Sequence, residues 1–321
     1  MSFTNPSKAS PRPMFSGSLV AIVTPMLADG SIDWAAWERL LDLHVHSGTA
    51  GVVVGGTTGE SVTLSDAELL ELLAQARSRL RGRAMLIAGA GSSSTAATVQ
   101  RVGLFGSAGV DAVLVVTPAY NRPTQEGLYR HFEAVAAASP VPVVLYNVPT
   151  RTAVDLLPAT VARLARLPHI VAIKEAVAIG AVERVRELLA LSEGRLTVLS
   201  GDDASCAQAI AAGARGVISV TANVVPGAMA QLCAAALHGE RAEAERIDAA
   251  LAPLHQALFV ETSPIPVKWA MAEMGLIGPG LRLPLTPLSP RWYGQVREAL
   301  EQARRLELES ARPALSAASL A

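Results

Sequence analysis

The fold of this chain is decided by two stretches of sequence, VVLYNVPTR at residues 143–151 and IVAIKE at residues 170–175. Each opens with an apolar run that is too short for a helix and rich in β-branched side chains. Each run then ends at polar residues or at a proline. This pattern predicts two buried strands joined through a helix, which is the repeating unit of a parallel sheet.

The same alternation of strand and helix starts at Gly17 and recurs along the chain. The predicted strands are Leu19–Val23, Gly51–Val54, Met85–Ala88, Ala112–Val116, Val143–Tyr146, Val171–Lys174, Thr197–Leu199 and Val217–Ser219. The predicted helices between them are Trp34–His46, Asp66–Leu80, Thr95–Ser107, Gln125–Ala138, Pro158–Leu167, Ala181–Leu191 and Ala204–Ala212. Eight such units predict an α/β fold, the (β/α)8 TIM barrel. A doubly wound open sheet is the alternative, weakened because no Gly-x-Gly-x-x-Gly turn follows the first strand.

From residue 226 onward the pattern changes to helices alone. The predicted helices are Gly227–His238, Arg241–Leu258, Pro266–Met274 and Pro290–Leu306. We therefore predict a disordered leader at residues 1–16, the barrel at 17–225, a C-terminal helical subdomain at 226–309 and a disordered tail at 310–321. The leader is polar and contains proline, and the tail is rich in alanine and serine, so neither is expected to pack.

The composition excludes several classes of protein. The 321 residues are 50% hydrophobic and 17% charged, with a formal net charge of -1, which gives no electrostatic reason to expect nucleic acid as a partner. No apolar run reaches the roughly 20 residues that span a bilayer. Cys206 and Cys233 lie in predicted helices without metal-ligand spacing, so we expect reduced thiols and a cytoplasmic location. None of the histidines lies in a ligand-like cluster, and we expect no metal.

Lys174 is the candidate for chemistry because it directly follows four apolar residues at a strand end. In a parallel barrel the C-terminal ends of the strands carry the active site. An amine that starts in a low-dielectric setting is a good nucleophile toward a carbonyl. The alternative is a lysine that reaches solvent or pairs with Glu175.

Other predicted strand ends carry groups that suit the same reaction. The turn at residues 55–61 offers glycines, Thr57 and Thr58, which suit a carboxylate, although a plain turn would use the same residues. Tyr120 and Tyr146 could relay protons, and Arg151 could hold a carboxylate through two hydrogen bonds.

The last two strands end at a glycine turn and at an isoleucine, Gly201 and Ile218, where backbone can approach a ligand. Asp202 and Asp203 could form a metal pair, but caps of the next helix are the better interpretation. Together the strand ends predict an enzyme that forms an imine with a keto acid, and no cofactor is expected.

These motifs resemble the dihydrodipicolinate synthase (4-hydroxy-tetrahydrodipicolinate synthase) branch of the pyruvate-dependent class I aldolases. The resemblance rests on the GTTGE sequence at residues 56–60, YNVPxR at 146–151, IKE at 173–175 and GDD at 201–203. It runs in unbroken order from about residue 17 to about residue 300. It implies condensation of pyruvate with L-aspartate 4-semialdehyde to 4-hydroxy-tetrahydrodipicolinate, the first committed step of the diaminopimelate route to lysine.

The resemblance also implies a role for each site residue. Lys174 would form the Schiff base with pyruvate, without a cofactor, and Tyr146 would donate and accept protons. Thr57 and Tyr120 would complete the proton relay, Tyr120 reaching in from the neighbouring subunit of a tight dimer within a homotetramer. Thr58 would bind the pyruvate carboxylate.

The remaining implied contacts belong to the second substrate and to the site backbone. Arg151 would bind the carboxylate of aspartate semialdehyde, and Gly201 and Ile218 would line the site through their backbones. Arg151 selects this branch, because a short carboxylated aldehyde needs it and a hydroxylated chain does not. Another pyruvate aldolase acting on a sugar acid or other aldehyde, and a catalytically silent barrel with a binding role, are the alternatives.

We expect weak or absent feedback inhibition by lysine. The positions that supply polar contacts to lysine in inhibited relatives are here Val62, Asp66, Leu69, Ser93 and Ala97, and Ala119 replaces a tyrosine that many synthases carry. An effector with an ammonium and a carboxylate would find few partners there. Titration of the activity with lysine checks this expectation, and half-inhibition at sub-millimolar lysine would contradict it.

Overall fold

Eight parallel strands form a closed barrel in the computed structural model, which describes residues 15–177 and 179–318, with side chains as far as Glu309. The strands are β1 Gly17–Ala21, β2 Gly51–Val54, β3 Met85–Gly89, β4 Ala112–Val116, β5 Val143–Asn147, β6 Ile170–Glu175, β7 Thr197–Ser200 and β8 Gly216–Ser219. The predicted TIM barrel is confirmed, and the open sheet is excluded because β8 pairs with β1.

Helices follow the strands around the barrel. They are α1 Trp34–His46, α2 Asp66–Leu80, α3 Thr95–Gly106, α4 Gln125–Ala138, α5 Pro149–Thr152, α6 Pro158–Leu164, α7 Ala181–Ser192 and α8 Cys206–Ala211. Local capping explains several starts: Ser65 and Glu68 form a reciprocal capping box at α2, and Thr124 caps α4. The four-residue α5 was predicted only as a turn, and Pro149 at its first position favours the helical start.

The seam of the barrel depends on a close approach of backbones. Gly17 pairs with Gly216, where an added Cβ would lie 2.1 Å from the Gly17 carbonyl oxygen, so only glycine fits. Beyond the paired strands, the Asn223 side chain continues the closure: it accepts from the Val23 amide at 2.9 Å and donates to the Ala21 carbonyl at 2.9 Å.

Alternation along the strands divides the buried residues into two cores. The outer core lies between the sheet and the helices. The inner core fills the barrel and contains Phe15, Leu19, Ala21, Val53, Ile87, Ala112, Leu114, Val144, Tyr146, Val148, Ala172, Leu199 and Ile218. Phe15 is only 1% exposed, so the packed chain begins before the predicted barrel boundary at residue 17. Residues 1–14 of the predicted leader lie outside the described residues.

The C-terminal helices pack on the barrel as predicted. They are α9 Pro226–His238, α10 Arg241–Ala257, α11 Ile265–Glu273 and α12 Tyr293–Ala318. The Glu307 carboxylate on α12 accepts from the amides of Gly227 and Ala228, at 2.9 and 2.7 Å, at the start of α9. The last helix is longer than the predicted one, which ends at Leu306. No helix in the described ranges has the length and apolar character to cross a membrane.

We expect Phe15→Ala to destabilise the chain by about 3–5 kcal/mol, because the inner core cannot collapse into the space of a lost phenyl ring. Equilibrium unfolding in urea measures this loss. Leu308→Ala is the matched control, since Leu308 is 68% exposed and its truncation should cost less than about 0.5 kcal/mol. Equal losses in both variants would contradict the packing role of Phe15.

Candidate active site

A cavity of about 580 Å³ opens at the C-terminal ends of the strands. It is lined by Ala21, Gly56, Thr57, Thr58, Leu114, Tyr146, Val148, Thr150, Arg151, Lys174, Ala176, Val177, Gly201, Asp202, Val220, Phe259, Thr262 and Ser263. Six of the eight predicted site residues are in this lining. Segments that are distant in sequence therefore meet where a barrel carries its chemistry.

Lys174 and Tyr146 face each other at the base of the cavity. They are register partners on neighbouring strands, β6 and β5, and both point into the barrel. The Lys174 Nζ lies 4.5 Å from the centre of the Tyr146 ring. Both side chains are buried, 5% and 7% exposed, yet both reach the cavity. A substrate bound to the amine would thus lie beside a phenol.

Thr57 and Thr58 reach the cavity from the turn that follows β2. Thr58 is buried and Thr57 is partly buried. The turn is wound tightly, since the amides of Gly59 and Glu60 both donate at 3.1 Å to the carbonyls of Gly56 and Thr57. Hydroxyl groups on a turn of this kind suit a carboxylate or a proton relay.

Gly201 gives the lysine its space. A Cβ at this position would lie 2.7 Å from the Cβ of Ala176 and 3.0 Å from the Cε of Lys174. Any larger residue would therefore push the amine out of its present position. The predicted contact of the Gly201 backbone with substrate stays a prediction.

Arg151 lies at the open side of the cavity, on α5. Its guanidinium donates to the Ser263 carbonyl at 3.2 Å, and the side chain remains exposed. Since one bond leaves most of its donors free, the guanidinium can still bind a carboxylate at the entrance.

Tyr120 and Ile218 do not line the cavity of the single chain. Tyr120 is 95% exposed after β4, with a φ of 71° that is uncommon outside glycine. Ile218 is 1% exposed within the inner core, and Val220, two residues later, reaches the cavity instead. Their predicted roles stay predictions.

The two aspartates after β7 are used differently from each other. Asp202 accepts from the Ser205 amide at 3.0 Å, in the turn before α8. Ser205 is the N-cap residue of α8, and among the described residues no side chain makes a capping hydrogen bond there, so the capping interpretation is wrong. Asp203 does not cap that helix. Its Oδ2 accepts from the amides of Val220 and Thr221, both at 2.9 Å, and so ties the end of β7 to the end of β8.

Part of the lining was missed by the sequence analysis. The connection between α10 and α11 contributes Phe259, Thr262 and Ser263 to the lining. The sequence predicts this connection only as part of the C-terminal helical subdomain. The polar residues of this connection, next to Pro264, were the available signal. The C-terminal subdomain therefore forms one wall of the cavity.

A polar network lies on the outer face of β5 and β6. The Asn147 amide donates to Asp155 at 2.7 Å and to Glu175 at 3.0 Å, and Arg184 pairs with Asp155 at 2.7 Å. Burial raises the pKa of the Glu175 carboxyl to about 7, although Arg184 opposes this change. The network holds the segments after β5 and β6, and so fixes Arg151 and Lys174 from outside the barrel.

Comparisons with known proteins agree with this geometry. The model of the "Dihydrodipicolinate synthetase family" matches residues 14–303. This chain belongs to that family.

A curated 4-hydroxy-tetrahydrodipicolinate synthase from Thioalkalivibrio sulfidiphilus is 51% identical, with 90% of this chain and 98% of the relative covered. The solved Acinetobacter baumannii dihydrodipicolinate synthase, complexed with pyruvate, is 46% identical with a TM-score of 0.88, covering 90% and 98% of the two chains. The Cyanidioschyzon merolae enzyme, solved with lysine bound, is 34% identical with a TM-score of 0.87, covering 91% and 99%.

The structure locates the positions at which the sequence predicts few contacts for lysine. The Asp66 carboxylate is paired with Arg101 at 2.9 Å, Leu69 is buried, and the Ser93 hydroxyl donates to the Ala119 carbonyl at 2.9 Å. The expected weak feedback by lysine stays a prediction.

The raised pKa of Glu175 predicts a specific pH dependence of stability. The folded chain holds a proton that the unfolded chain has lost, so this stabilising contribution is complete below pH 4.5 and disappears as the pH rises to about 7. We expect the free energy of unfolding of the wild type, relative to Glu175→Gln, to fall across this window by up to about 3 kcal/mol. Urea unfolding of both proteins along a pH series measures this difference. If the two free energies of unfolding changed in parallel with pH, the prediction would be wrong.

Proposed function

We propose that this chain condenses pyruvate with L-aspartate 4-semialdehyde to 4-hydroxy-tetrahydrodipicolinate through a Schiff base on Lys174. The observation that carries the proposal is the buried Lys174 amine beside the Tyr146 ring, in a cavity whose entrance holds Arg151. Relatives at about half identity, covered almost completely, bear the name of this activity.

The first half of the reaction loads pyruvate. The Lys174 amine attacks the ketone carbon, and the resulting carbinolamine loses water to give the imine. Thr58 and the neighbouring backbone amides hold the pyruvate carboxylate, which fixes the methyl group in the cavity. Loss of a methyl proton then gives the enamine, and Tyr146, with Thr57, carries the protons involved.

The second half forms the carbon–carbon bond. The enamine carbon attacks the aldehyde of aspartate semialdehyde, and Tyr146 protonates the alkoxide that forms. The amino group of the second substrate then attacks the imine carbon, which closes the ring and releases the Lys174 amine. The complete sequence consumes one pyruvate and one aldehyde and releases one water.

Arg151 gives the second substrate its orientation. A guanidinium at the entrance can bind the aldehyde's carboxylate through two parallel hydrogen bonds, so that the carbonyl points toward Lys174. The need for a carboxylate on the aldehyde separates the proposed substrate from the hydroxylated aldehydes of sugar-acid aldolases.

The proposal includes an assembly and a location. We infer a homotetramer built from tight dimers, in which Tyr120 of each subunit completes the relay of its neighbour. The support is the 95% exposure of the Tyr120 side chain, on an unusual backbone conformation in the segment after β4. A cytoplasmic location suits the diaminopimelate route to lysine and the two free, buried cysteines.

The test measures pyruvate consumption with aspartate semialdehyde as the only aldehyde, together with borohydride trapping of pyruvate. Lys174→Ala should abolish both turnover and trapping. Arg151→Ala should lower kcat/KM for the aldehyde by about 10–100-fold, the loss of a charged hydrogen-bonded contact, while trapping persists.

The outcomes separate the alternatives. Trapping on Lys174 without turnover would keep the imine chemistry and assign the chain to another aldehyde. Absence of trapping in the wild type would favour a catalytically silent barrel. An Arg151→Ala variant with unchanged kcat/KM would contradict the substrate assignment.

A further inference from the structure

A buried ion pair outside the reacting groups joins the barrel to the C-terminal subdomain. Glu60, in the turn after β2, binds the Lys268 ammonium on α11, and each residue is only 2% exposed. Burial lowers the pKa of Lys268, and the Glu60 carboxylate opposes that change. Buried charges destabilise a fold unless they are paired. The two partners here are 208 positions apart in sequence, so the ion pair connects distant parts of the chain.

The Glu60 carboxylate holds more than the lysine. Its second oxygen accepts from the Arg282 amide at 3.1 Å. The Arg282 guanidinium in turn donates to the carbonyls of Gly30 and Thr63, at 2.8 and 2.7 Å. One side chain thus connects the turn after β2 to two separate segments of the C-terminal subdomain.

The same residue is linked through its backbone to the pyruvate end of the cavity. The Glu60 amide donates to the Thr57 carbonyl at 3.1 Å, and the neighbouring Gly59 carbonyl accepts from Thr24 at 2.7 Å. Glu60 has a φ of 58°, a left-handed backbone conformation that is strained for a residue other than glycine. Its carboxylate contacts hold the turn in this conformation.

The other partner of the pair lies on a rigid element. Ile265, Val267, Ala270 and Met271 of α11 are buried, so the helix is fixed independently of Lys268. If the pair is removed, the turn will move rather than the helix.

We propose that Glu60 and Lys268 are positioning residues that hold the Thr57–Thr58 turn in register with Lys174, so that the C-terminal subdomain sets the affinity for pyruvate. This inference rests on the proposed function, because it assigns the turn to the pyruvate carboxylate. It predicts an effect on pyruvate and not on the aldehyde, whose carboxylate contact Arg151 lies across the cavity.

The test uses Lys268→Met, Glu60→Gln and the double variant, with Glu307→Gln as control. Glu307 is a partly buried carboxylate of the C-terminal region, and it binds the start of α9 instead of the turn. Borohydride trapping over a range of pyruvate concentrations, followed by intact mass, gives the half-saturating pyruvate concentration. Steady-state turnover gives KM for the aldehyde, and thermal unfolding gives Tm.

We expect each single variant to raise the half-saturating pyruvate concentration about tenfold and to leave the aldehyde KM within about twofold. The double variant should recover Tm, because no lone charge remains buried, while its pyruvate affinity stays low. Glu307→Gln should lower Tm without changing either constant. If the single variants do not fold, the half-saturating pyruvate concentration of the double variant decides whether the inference holds.

Pyruvate affinity that recovers together with Tm in the double variant would reduce the pair to a purely structural role and overturn the inference. Unchanged half-saturation in a folded single variant would do the same while leaving the proposed function intact. Failure of the wild-type chain to trap pyruvate would instead overturn the proposed function, and this inference with it.

Discussion

The pairing of β5 with β6 in a closed parallel barrel is the constraint on which the rest of the structure depends. It sets Tyr146 opposite Lys174 and Asn147 opposite Glu175, and closure through β8 and β1 completes the cavity above them. A slip of one residue would turn the amine toward the helices and the carboxylate into the barrel. Register therefore decides which polar side chain meets substrate, before any loop contributes.

The alternation of side chains along the strands gives the inner and outer faces of the barrel sheet different roles. The inward residues at the strand ends carry the proposed chemistry, since they border the cavity above the inner core. The outward residues hold the loops: Asn147 and Glu175 form a network with Asp155 and Arg184. The same strand ends thus supply the reacting groups and their support, and changes on the outer face will act on the site indirectly.

The helical C-terminal region is part of the site and not only an appendix. Its connection between α10 and α11 forms a wall of the cavity and binds Arg151 through the Ser263 carbonyl. Helix α11 also holds Glu60, which lies in the turn after β2. Helix α11 therefore contacts the proposed pyruvate side and the connection before it contacts the proposed aldehyde side, so the two substrate regions are held by adjoining parts of one segment.

The sequence by itself determined the barrel and most of its site. Short β-branched runs alternating with amphipathic helices specify strands and helices locally. Tyr146 and Lys174 lie near the ends of strands, and Arg151 and Gly201 lie shortly after strands, so fold class alone brings the four together. Tertiary structure decided the rest. The Glu60–Lys268 pair joins segments 208 positions apart, and the wall from residues 259–263 contacts Arg151 across 112 positions. No local periodicity encodes which distant side chains will meet. These contacts depend on how the whole chain packs, which the local sequence pattern does not specify.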